Sequence, residues 1–408
     1  MALRGDWSTF RTIADPAYET SPNCTTIVGP PLTTCGQLRY GSPMSSPAKT
    51  TWIAFRLRWL SIVCLFLQPV PATGNSETLL SELNKLSPAE REKKLLEGAK
   101  REGSVIIYSS ENVSLLQRYE AAFVKRYPFV KAEYWRAGGD RVGTRVLTES
   151  RAGRLQADLV GLAFDVVNEI KGAGILARYH SPERKAYADM FKDSDGYFTP
   201  TNLIHAVIGY NTKLVSARDA PRDYADLLSP FWKGSLTIDT EPSRALLGWL
   251  KAWGEEKTRK YLEGLVRNDV KVTRGHTLQT QLLCAGEYKA GVELYLYTAA
   301  QMQRTGCPIN IVYPTPTSVA SAQSWSIPVA APHPHAAALL LDFLLSAEGA
   351  DLVANHGRIP ARSGVRPKFE TLDRLASGAV PLLVLISEDA HRLRAAADKL
   401  FKEVVLRK

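Results

Sequence analysis

The sequence predicts an α/β protein with two parallel-sheet units, and three observations carry this prediction. Between residues 104 and 170, runs of β-branched and aromatic residues alternate with segments whose apolar residues recur every three or four positions. A similar alternation occupies about 206–322. Apolar residue types make up 45% of the 408 residues, enough to fill sizeable cores. Because strands that alternate with helices form parallel sheets with helices on both faces, we expect two such units.

The elements of the first unit follow from helix start and stop signals. Ser87, Pro88 and Glu90 form a helix start, with a hydroxyl cap, a proline at the first position and a capping box. This helix is expected to stop at Gly103, a residue type that ends helices readily. Strands are then predicted at 104–108, 130–135 and 157–162, and the helices that follow them at about 115–127, 142–149 and up to 170.

The rest of the chain continues the alternation. The segment 291–297 is expected to begin as a strand and to pass into a helix, and 335–345 is strongly apolar. Further strands are predicted at 203–210, 235–239, 309–313 and 324–329, and further helices at 246–253, 256–267, 335–345 and 384–406.

Polar residues follow several predicted strands where a helix then begins. In an open α/β sheet this position lies outside the carboxyl end of a strand, where such folds bind ligands. Hydroxyl groups, helix N-termini and an arginine suit an anion, and tyrosines suit an organic body or a metal chelate. The candidate ligand contacts are Ser109, Ser110, Asn112, Asp140, Arg141, Thr240, Glu241, Ser243, Tyr295 and Tyr297.

Each candidate also has a purely structural alternative, which the sequence leaves open. The serines are good helix caps, and Asp140 stands where an N-cap residue would stand. Arg141 is also typical of a solvated charge on a helix face. The two tyrosines, Tyr295 and Tyr297, are equally compatible with core packing.

Composition and motifs exclude several other classes of function. The formal net charge is +10, but it is spread over the chain, and no basic run with interleaved aromatic residues predicts nucleic-acid binding. The sequence contains no HExxH, GxSxG or P-loop motif, so we predict a protein that is not an enzyme and that needs no cofactor.

The N-terminal region predicts export. Residues 1–43 lack periodicity and are expected to be disordered or untranslated, which leaves Met44 as the candidate start. Basic residues precede the apolar run Trp59–Leu67, and the small residues Val70 and Ala72 stand at the −3 and −1 positions of a cleavage site. Residues 44–72 are therefore predicted to be a cleaved signal peptide. The apolar run is too short for a membrane span, which needs about 20 residues.

Five cysteines are present, but only Cys284 and Cys307 follow residue 72. No two cysteines have the CxxC spacing of a zinc or redox site. In an oxidising compartment these two residues could form a disulfide or stay as thiols, and the sequence leaves both outcomes open.

Short segments in a fixed order resemble the bacterial extracellular solute-binding proteins of ABC importers, in the iron(III)-type branch. They extend over about residues 90–367, and it is their combination that is specific. The segments are Leu95–Gly103, Tyr108–Ser110, Ala122–Phe123, Tyr127–Pro128, Ala157–Asp158, Gly209–Thr212, Trp232–Gly234, Ala285–Glu287, Ala331–Pro334 and Asp342–Ser346.

The resemblance implies a type 2 periplasmic-binding fold. Such a fold has two α/β lobes joined by crossover strands, with a ligand cleft between them. The lobes would comprise 73–205 with 323–370, and 206–322, and the helices of 371–408 would pack on them. The crossovers would lie near 203–210 and 320–329.

The resemblance also implies a function. The protein would be a periplasmic, monomeric, substrate-binding component of an ABC importer that captures a solute by hinge closure and delivers it to a permease in the inner membrane. A ligand sensor for a membrane receptor is an alternative with the same fold, and a hydrolase is the alternative from another class.

The nature of the solute is less directly indicated. Ferric-binding members use two adjacent tyrosines, a histidine and a carboxylate, whereas the matching positions here hold Leu296 with Tyr297, Asn112 and Ala163. The expected ligand is therefore an organic or inorganic anion. Ferric iron, or a ferric chelate bound through Tyr297, is the alternative.

Overall fold

The computed structural model describes residues 76–240, 243–314, 318–376, 380 and 382–407. The predicted extension 1–43, the predicted signal peptide 44–72 and the candidate Glu241 lie outside the described residues. The helices are α1 Ser76–Leu83, α2 Pro88–Glu102, α3 Val113–Arg126, α4 Gly139–Arg151, α5 Phe164–Gly172, α6 Ser243–Arg267, α7 His276–Ala285, α8 Leu296–Arg304, α9 Pro334–Leu345, α10 Ala347–Asn355, α11 Glu370–Ala376 and α12 Ser387–Val404. The strands are β1 Ser104–Ser109, β2 Lys131–Arg136, β3 Leu159–Ala163, β4 Leu176–Ala177, β5 Thr199–Asn211, β6 Leu236–Asp239, β7 Lys271–Thr273, β8 Ala290–Tyr295, β9 Ile309–Val312, β10 Ser318–Pro328, β11 Ile359–Pro360 and β12 Leu382–Val384.

The first lobe is built on β1, β2 and β3, which pair in parallel as predicted. The capping box at Ser87 and Glu90 is present at the start of α2. The helix ends at Gly103, whose φ of 69° lies in the left-handed region that glycine adopts without steric cost. Asn112 caps α3 by accepting a hydrogen bond from the backbone N–H of Ser114.

The second lobe repeats the parallel arrangement, with β6 paired to both β7 and β8. The long helix α6 is interrupted at Gly254, whose backbone is non-helical with a φ of 77°. This interruption agrees with the two separate helices predicted at 246–253 and 256–267. Strand β8 passes directly into α8 at Leu296, as the sequence predicts.

Two long strands connect the lobes. The strand order is β2-β1-β3-β10-β5-β8-β6-β7, so β10 and β5 lie at the centre of the sheet. They pair antiparallel with each other, β10 also pairs with β3, and β5 also pairs with β8. The predicted crossover strands are therefore confirmed, while the exact lobe boundaries stay a prediction.

Each lobe has its own aromatic packing. In the first lobe the fully buried Trp325 of β10 meets the edge of Tyr119 and donates its indole N–H to Thr201. In the second lobe Trp249 and Trp253 lie four residues apart on α6, and their rings are parallel at 5.9 Å. The strongly apolar α9 is buried over most of its length.

The two cysteines that follow residue 72 form a disulfide in the structure. Cys284, near the end of α7, and Cys307, in the loop between α8 and β9, form a disulfide with Cα atoms 5.3 Å apart. In the part of the chain that the structure describes, no helix is both long and apolar enough to cross a membrane.

Candidate binding site

The candidate site lies where strands from both lobes end. In the first lobe β1 and β3 end at Ser109 and Ala163, and in the second lobe β6 and β8 end at Asp239 and Tyr295. Helices begin at or shortly after each of these points. The carboxyl ends of the parallel strands and several helix N-termini are therefore directed toward one region, as ligand sites in open sheets require.

Arg358 is the most deeply buried cation of this region. Its side chain is 2% exposed, and one of its amino nitrogens lies 2.7 Å from the carboxylate of Glu111, which is 1% exposed. The guanidinium carbon also lies 3.7 Å from the ring centroid of Tyr297. Burial alone would lower the pKa of Arg358, but Glu111 and Tyr297 outweigh it and raise that pKa above its usual value. Arg358 thus joins the turn after β1 in the first lobe to α8 of the second.

His356 makes a second connection between the lobes. Its Nε2 lies 2.6 Å from the hydroxyl of Ser114 at the start of α3, and its Nδ1 lies 3.3 Å from the amide nitrogen of Gln301 on α8. Burial, helped by Arg358 and Arg118, lowers the pKa of His356 to about 4, so the ring is neutral at physiological pH.

Arg244 occupies the first turn of α6. Its guanidinium contacts the hydroxyl of Tyr295 and lies 5.0 Å from the centroid of that ring. Its Nε is buried and has no hydrogen-bond partner among the described residues, and none of their carboxylates lies within ion-pair distance. A half-buried arginine that has no close carboxylate is well suited to bind an added anion.

Glu293 and Asp239 form an acidic pair in the same lobe as Arg244, outside ion-pair distance of its guanidinium. Glu293 of β8 is fully buried, and His276 Nδ1 lies 3.4 Å from one of its oxygens and 3.7 Å from the carboxylate of Asp239. Burial and the charge of Asp239 raise the pKa of the Glu293 carboxyl well above its usual range, although Arg244 opposes the rise. This shift favours the neutral form of Glu293, which leaves the positive charge of Arg244 less compensated.

Two predicted residues of the first lobe lie at the end of β1 and in the turn that follows it. Ser109 is fully buried, donates to the carbonyl of Gly161 and accepts from the backbone of Glu111, so its hydroxyl shapes the turn. The hydroxyl of Ser110 accepts from the side-chain amide of Gln323 on the crossover strand β10. Ser110 therefore lies at the junction of the lobes, and Asn112 serves as the cap of α3.

The remaining polar candidates are more scattered. Asp140 pairs with Arg394 of the C-terminal helix, and Arg141 is exposed on α4. Thr240 follows β6 and donates to the backbone of Thr273. Ser243 begins α6, and its side chain is outside the described part.

The predicted tyrosines come together. Because β8 ends at Tyr295 and α8 begins at Leu296, both phenol rings face the same region, with centroids 5.7 Å apart. Tyr295 also packs on the ring of His276, with centroids 3.7 Å apart. The two rings therefore lie on the same side at the change from strand to helix between Tyr295 and Leu296.

Neither of the two central arginines, Arg244 and Arg358, is among the contacts predicted from the sequence. The sequence does contain an indication for Arg244. A positive charge in the first turn of a helix is unfavourable next to the positive end of the helix dipole, so an arginine at that position suggests a role other than helix stability. Arg358 has no such indication, because it lies in a short segment after α10 and meets Glu111 only through the fold.

A family model of bacterial extracellular solute-binding proteins matches residues 158–379, more than half of the chain. The chain belongs to this family. The predicted resemblance is thereby confirmed, and with it the role of a solute-binding component of the kind that serves ABC importers. A protein of Haemophilus influenzae described as uncharacterized is 25% identical over 273 residues, which cover 64% of this chain and 78% of that protein.

Solved structures share the fold. The periplasmic binding protein AfuA from Actinobacillus pleuropneumoniae, with exogenous fructose-6-phosphate bound, has a TM-score of 0.68 and 21% identity, and the match covers 75% of this chain and 99% of AfuA. Iron-bound HitA from Pseudomonas aeruginosa has a TM-score of 0.65 and 17% identity, and the match covers 74% of this chain and 99% of HitA. At these identities the likeness establishes the two-lobed architecture and not the ligand.

Among the described residues, no group of three or more histidine, cysteine, aspartate or glutamate side chains is placed to hold a metal ion.

Proposed function

We propose that the imported solute is an anion, with an oxyanion group bound at Arg244 and an organic body against the tyrosines. The observation that carries this proposal is the state of Arg244. It lies at the site, its Nε has no partner among the described residues, and Glu293, an acid of the same lobe whose charge acts on it, is driven toward its neutral form. Charge-assisted hydrogen bonds from a guanidinium to a carboxylate, sulfonate or phosphate are among the strongest in proteins.

The surroundings of Arg244 favour an organic anion over a bare inorganic one. The rings of Tyr295 and Tyr297 lie 5.7 Å apart and tilted by 34°, and they provide apolar faces with hydroxyl groups at the edge. AfuA, which shares the fold, binds fructose-6-phosphate, a phosphate monoester with a hydroxylated body. A solute of that general chemistry would satisfy both the arginine and the tyrosines.

The ferric alternative has support from the iron-bound neighbour HitA but fits the local charges less well. Arg358 lies over the ring of Tyr297, and Arg244 contacts the hydroxyl of Tyr295, so a guanidinium already faces each phenol. Burial raises the pKa of Tyr295 well above its usual range, whereas binding to Fe(III) needs the phenolate. Two nearby cations and a protonated phenol disfavour a trivalent cation at this position.

The mechanism is closure of the lobes around the solute. Contacts made by Arg358 and His356 to both lobes lie beside the site, so a ligand that bridges the lobes would stabilise the same closed arrangement. The closed protein would be the form that a permease in the inner membrane accepts. Periplasmic location after signal-peptide cleavage, and a monomeric state, belong to this proposal.

Calorimetric titration of the purified protein would test the ligand class. The panel contains fructose 6-phosphate, inorganic phosphate, inorganic sulfate and ferric citrate. We expect the organic phosphate to bind, and Arg244→Gln to weaken its binding by about 10- to 100-fold, the effect of losing a charge-assisted hydrogen bond of about 1.5–3 kcal/mol. Small-angle scattering should show compaction when the ligand binds.

A matched control separates this effect from a general loss of charge. Arg259 lies on the same helix but pairs with Glu403, away from the site, so Arg259→Gln should leave ligand affinity unchanged. Binding of ferric citrate alone, lost in Tyr297→Phe and retained in Arg244→Gln, would replace the anion proposal by the iron alternative.

A further inference from the structure

The C-terminal helix α12 lies against both lobes near the candidate site. It packs along α6 of the second lobe, where Lys251 pairs with Asp389 and Arg259 pairs with Glu403. It also packs on α5 of the first lobe, and there the ionic contact is made by Arg394.

Arg394 is bound by three carboxylates. Its guanidinium nitrogens lie 2.5 Å from Asp165, 2.6 Å from Asp140 and 3.0 Å from Asp398 of its own helix. Burial would lower the pKa of Arg394, but Asp165 and Asp140 outweigh it and raise that pKa above its usual value. This arginine is therefore a permanently charged group held at the N-termini of α4 and α5.

Asp165 is the link between Arg394 and the site. It follows β3 directly, in the first turn of α5, and its side chain is 4% exposed. One of its oxygens pairs with Arg394, while the other, Oδ1, is buried and has no hydrogen-bond partner among the described residues. The charge of Asp165 also acts on Arg244. Asp165 is thus paired with Arg394 of α12, while its charge also reaches Arg244 of the proposed anion site, with which it forms no ion pair in the described structure.

We propose that Arg394 is a positioning residue for anion binding: by holding Asp165 it keeps that carboxylate from pairing with Arg244, which stays available to the solute. Without Arg394, the free carboxylate of Asp165 would compete with the solute for the same guanidinium. The proposal rests on the proposed function, because it concerns the affinity of Arg244 for an anion.

A merely structural role for Arg394 gives different expectations. If the arginine only held α12 in place, then loss of the ion pair between Arg259 and Glu403, which also fastens α12, would have a similar effect. Removing the charge of Asp165 would then bring no recovery. Competition for Arg244 predicts the opposite on both points, since its cause is the carboxylate and not the position of the helix.

The test is a titration of the purified protein with fructose 6-phosphate at constant ionic strength, with unfolding midpoints recorded for every variant. Arg394→Met should weaken binding of this phosphate ester by about tenfold, equivalent to about 1.4 kcal/mol. Arg394→Lys, which keeps the charge, should retain most of the affinity. Asp165→Asn combined with Arg394→Met should return the affinity to within about threefold of the wild type, and Arg259→Met should have no effect.

Each other result overturns the inference. Equal weakening by Arg394→Met and Arg259→Met, or no recovery in the double variant, would show that the helix contact alone matters. Unchanged affinity in Arg394→Met would show that Asp165 does not compete for Arg244. If the wild type itself did not bind phosphate or any other anion, the proposed function would fail and this inference with it.

Discussion

The buried histidine of the crossover strand leads to a prediction about stability and pH. His205 lies on β5 opposite Ala320 of β10 and is 2% exposed, and its Nε2 has no hydrogen-bond partner among the described residues. Burial lowers the pKa of this imidazole from 6.5 to about 4. The unfolded chain, where the ring is solvated, therefore binds more protons than the folded chain between these two values. Stability is fully present above pH 6.5 and is lost as the pH falls toward 4.

The size of the effect follows from the two pKa values. At pH 7.5 the ring is neutral in both states, and its contribution to the pH dependence is close to zero. At pH 5 protonation of the unfolded state lowers the free energy of unfolding by about 2 kcal/mol. At pH 4 this decrease reaches about 3 kcal/mol. For a protein of ordinary stability this is a large fraction of the total.

The assay compares wild type with His205→Leu, a replacement of similar volume that cannot titrate. Urea unfolding, followed by tryptophan fluorescence, gives the free energy of unfolding of both proteins at pH 7.5 and pH 5. The difference in the free energy of unfolding between the two proteins at pH 7.5 measures the effect of the substitution on packing. The further difference that appears at pH 5 measures the effect of protonating His205. We expect the wild type to lose about 2 kcal/mol more than the variant. Equal losses would refute the inference that His205 is buried in its neutral form.

Two further predictions concern buried pairs. Arg358→Met should lower the free energy of unfolding by about 3–5 kcal/mol, because it leaves the carboxylate of Glu111 buried without its partner. Adding Glu111→Gln should recover part of this loss in the same urea assay. No recovery would contradict this explanation. Reduction of the disulfide between Cys284 and Cys307, 23 residues apart, should cost about 3 kcal/mol by loop entropy. Mass spectrometry after alkylation without reductant should detect no label on either of these two cysteines, and labelling of both would contradict the bond.

Much of the fold could be predicted because its signals are local. Ser87 and Glu90 are three residues apart, and the capping box they form depends only on that spacing. Gly103 ends α2 because only its own backbone has to adopt a positive φ. The break of α6 at Gly254 has the same origin. The strand and helix periods are likewise set by residues a few positions apart.

The candidate site could be predicted only in part. The sequence indicated the strand ends, and therefore Ser110 and the two tyrosines, because a strand that runs into a helix places those residues at one edge of a sheet. It did not indicate that the hydroxyl of Ser109 would be used within the turn, a fact that depends on the neighbouring strand at Gly161. Asp140 also has its partner, Arg394, more than 250 residues away.

The sequence by itself determined the order of strands and helices, the capping of the helices and, through its ordered short motifs, the family. Only the tertiary structure decided which cations lie at the candidate site. Arg244 and Arg358 are separated by more than a hundred residues, and their roles depend on Tyr295, Tyr297 and Glu111, which other strands and helices supply. Charge and burial at a site arise from groups that meet across the sheet, so no local pattern in the chain encodes them.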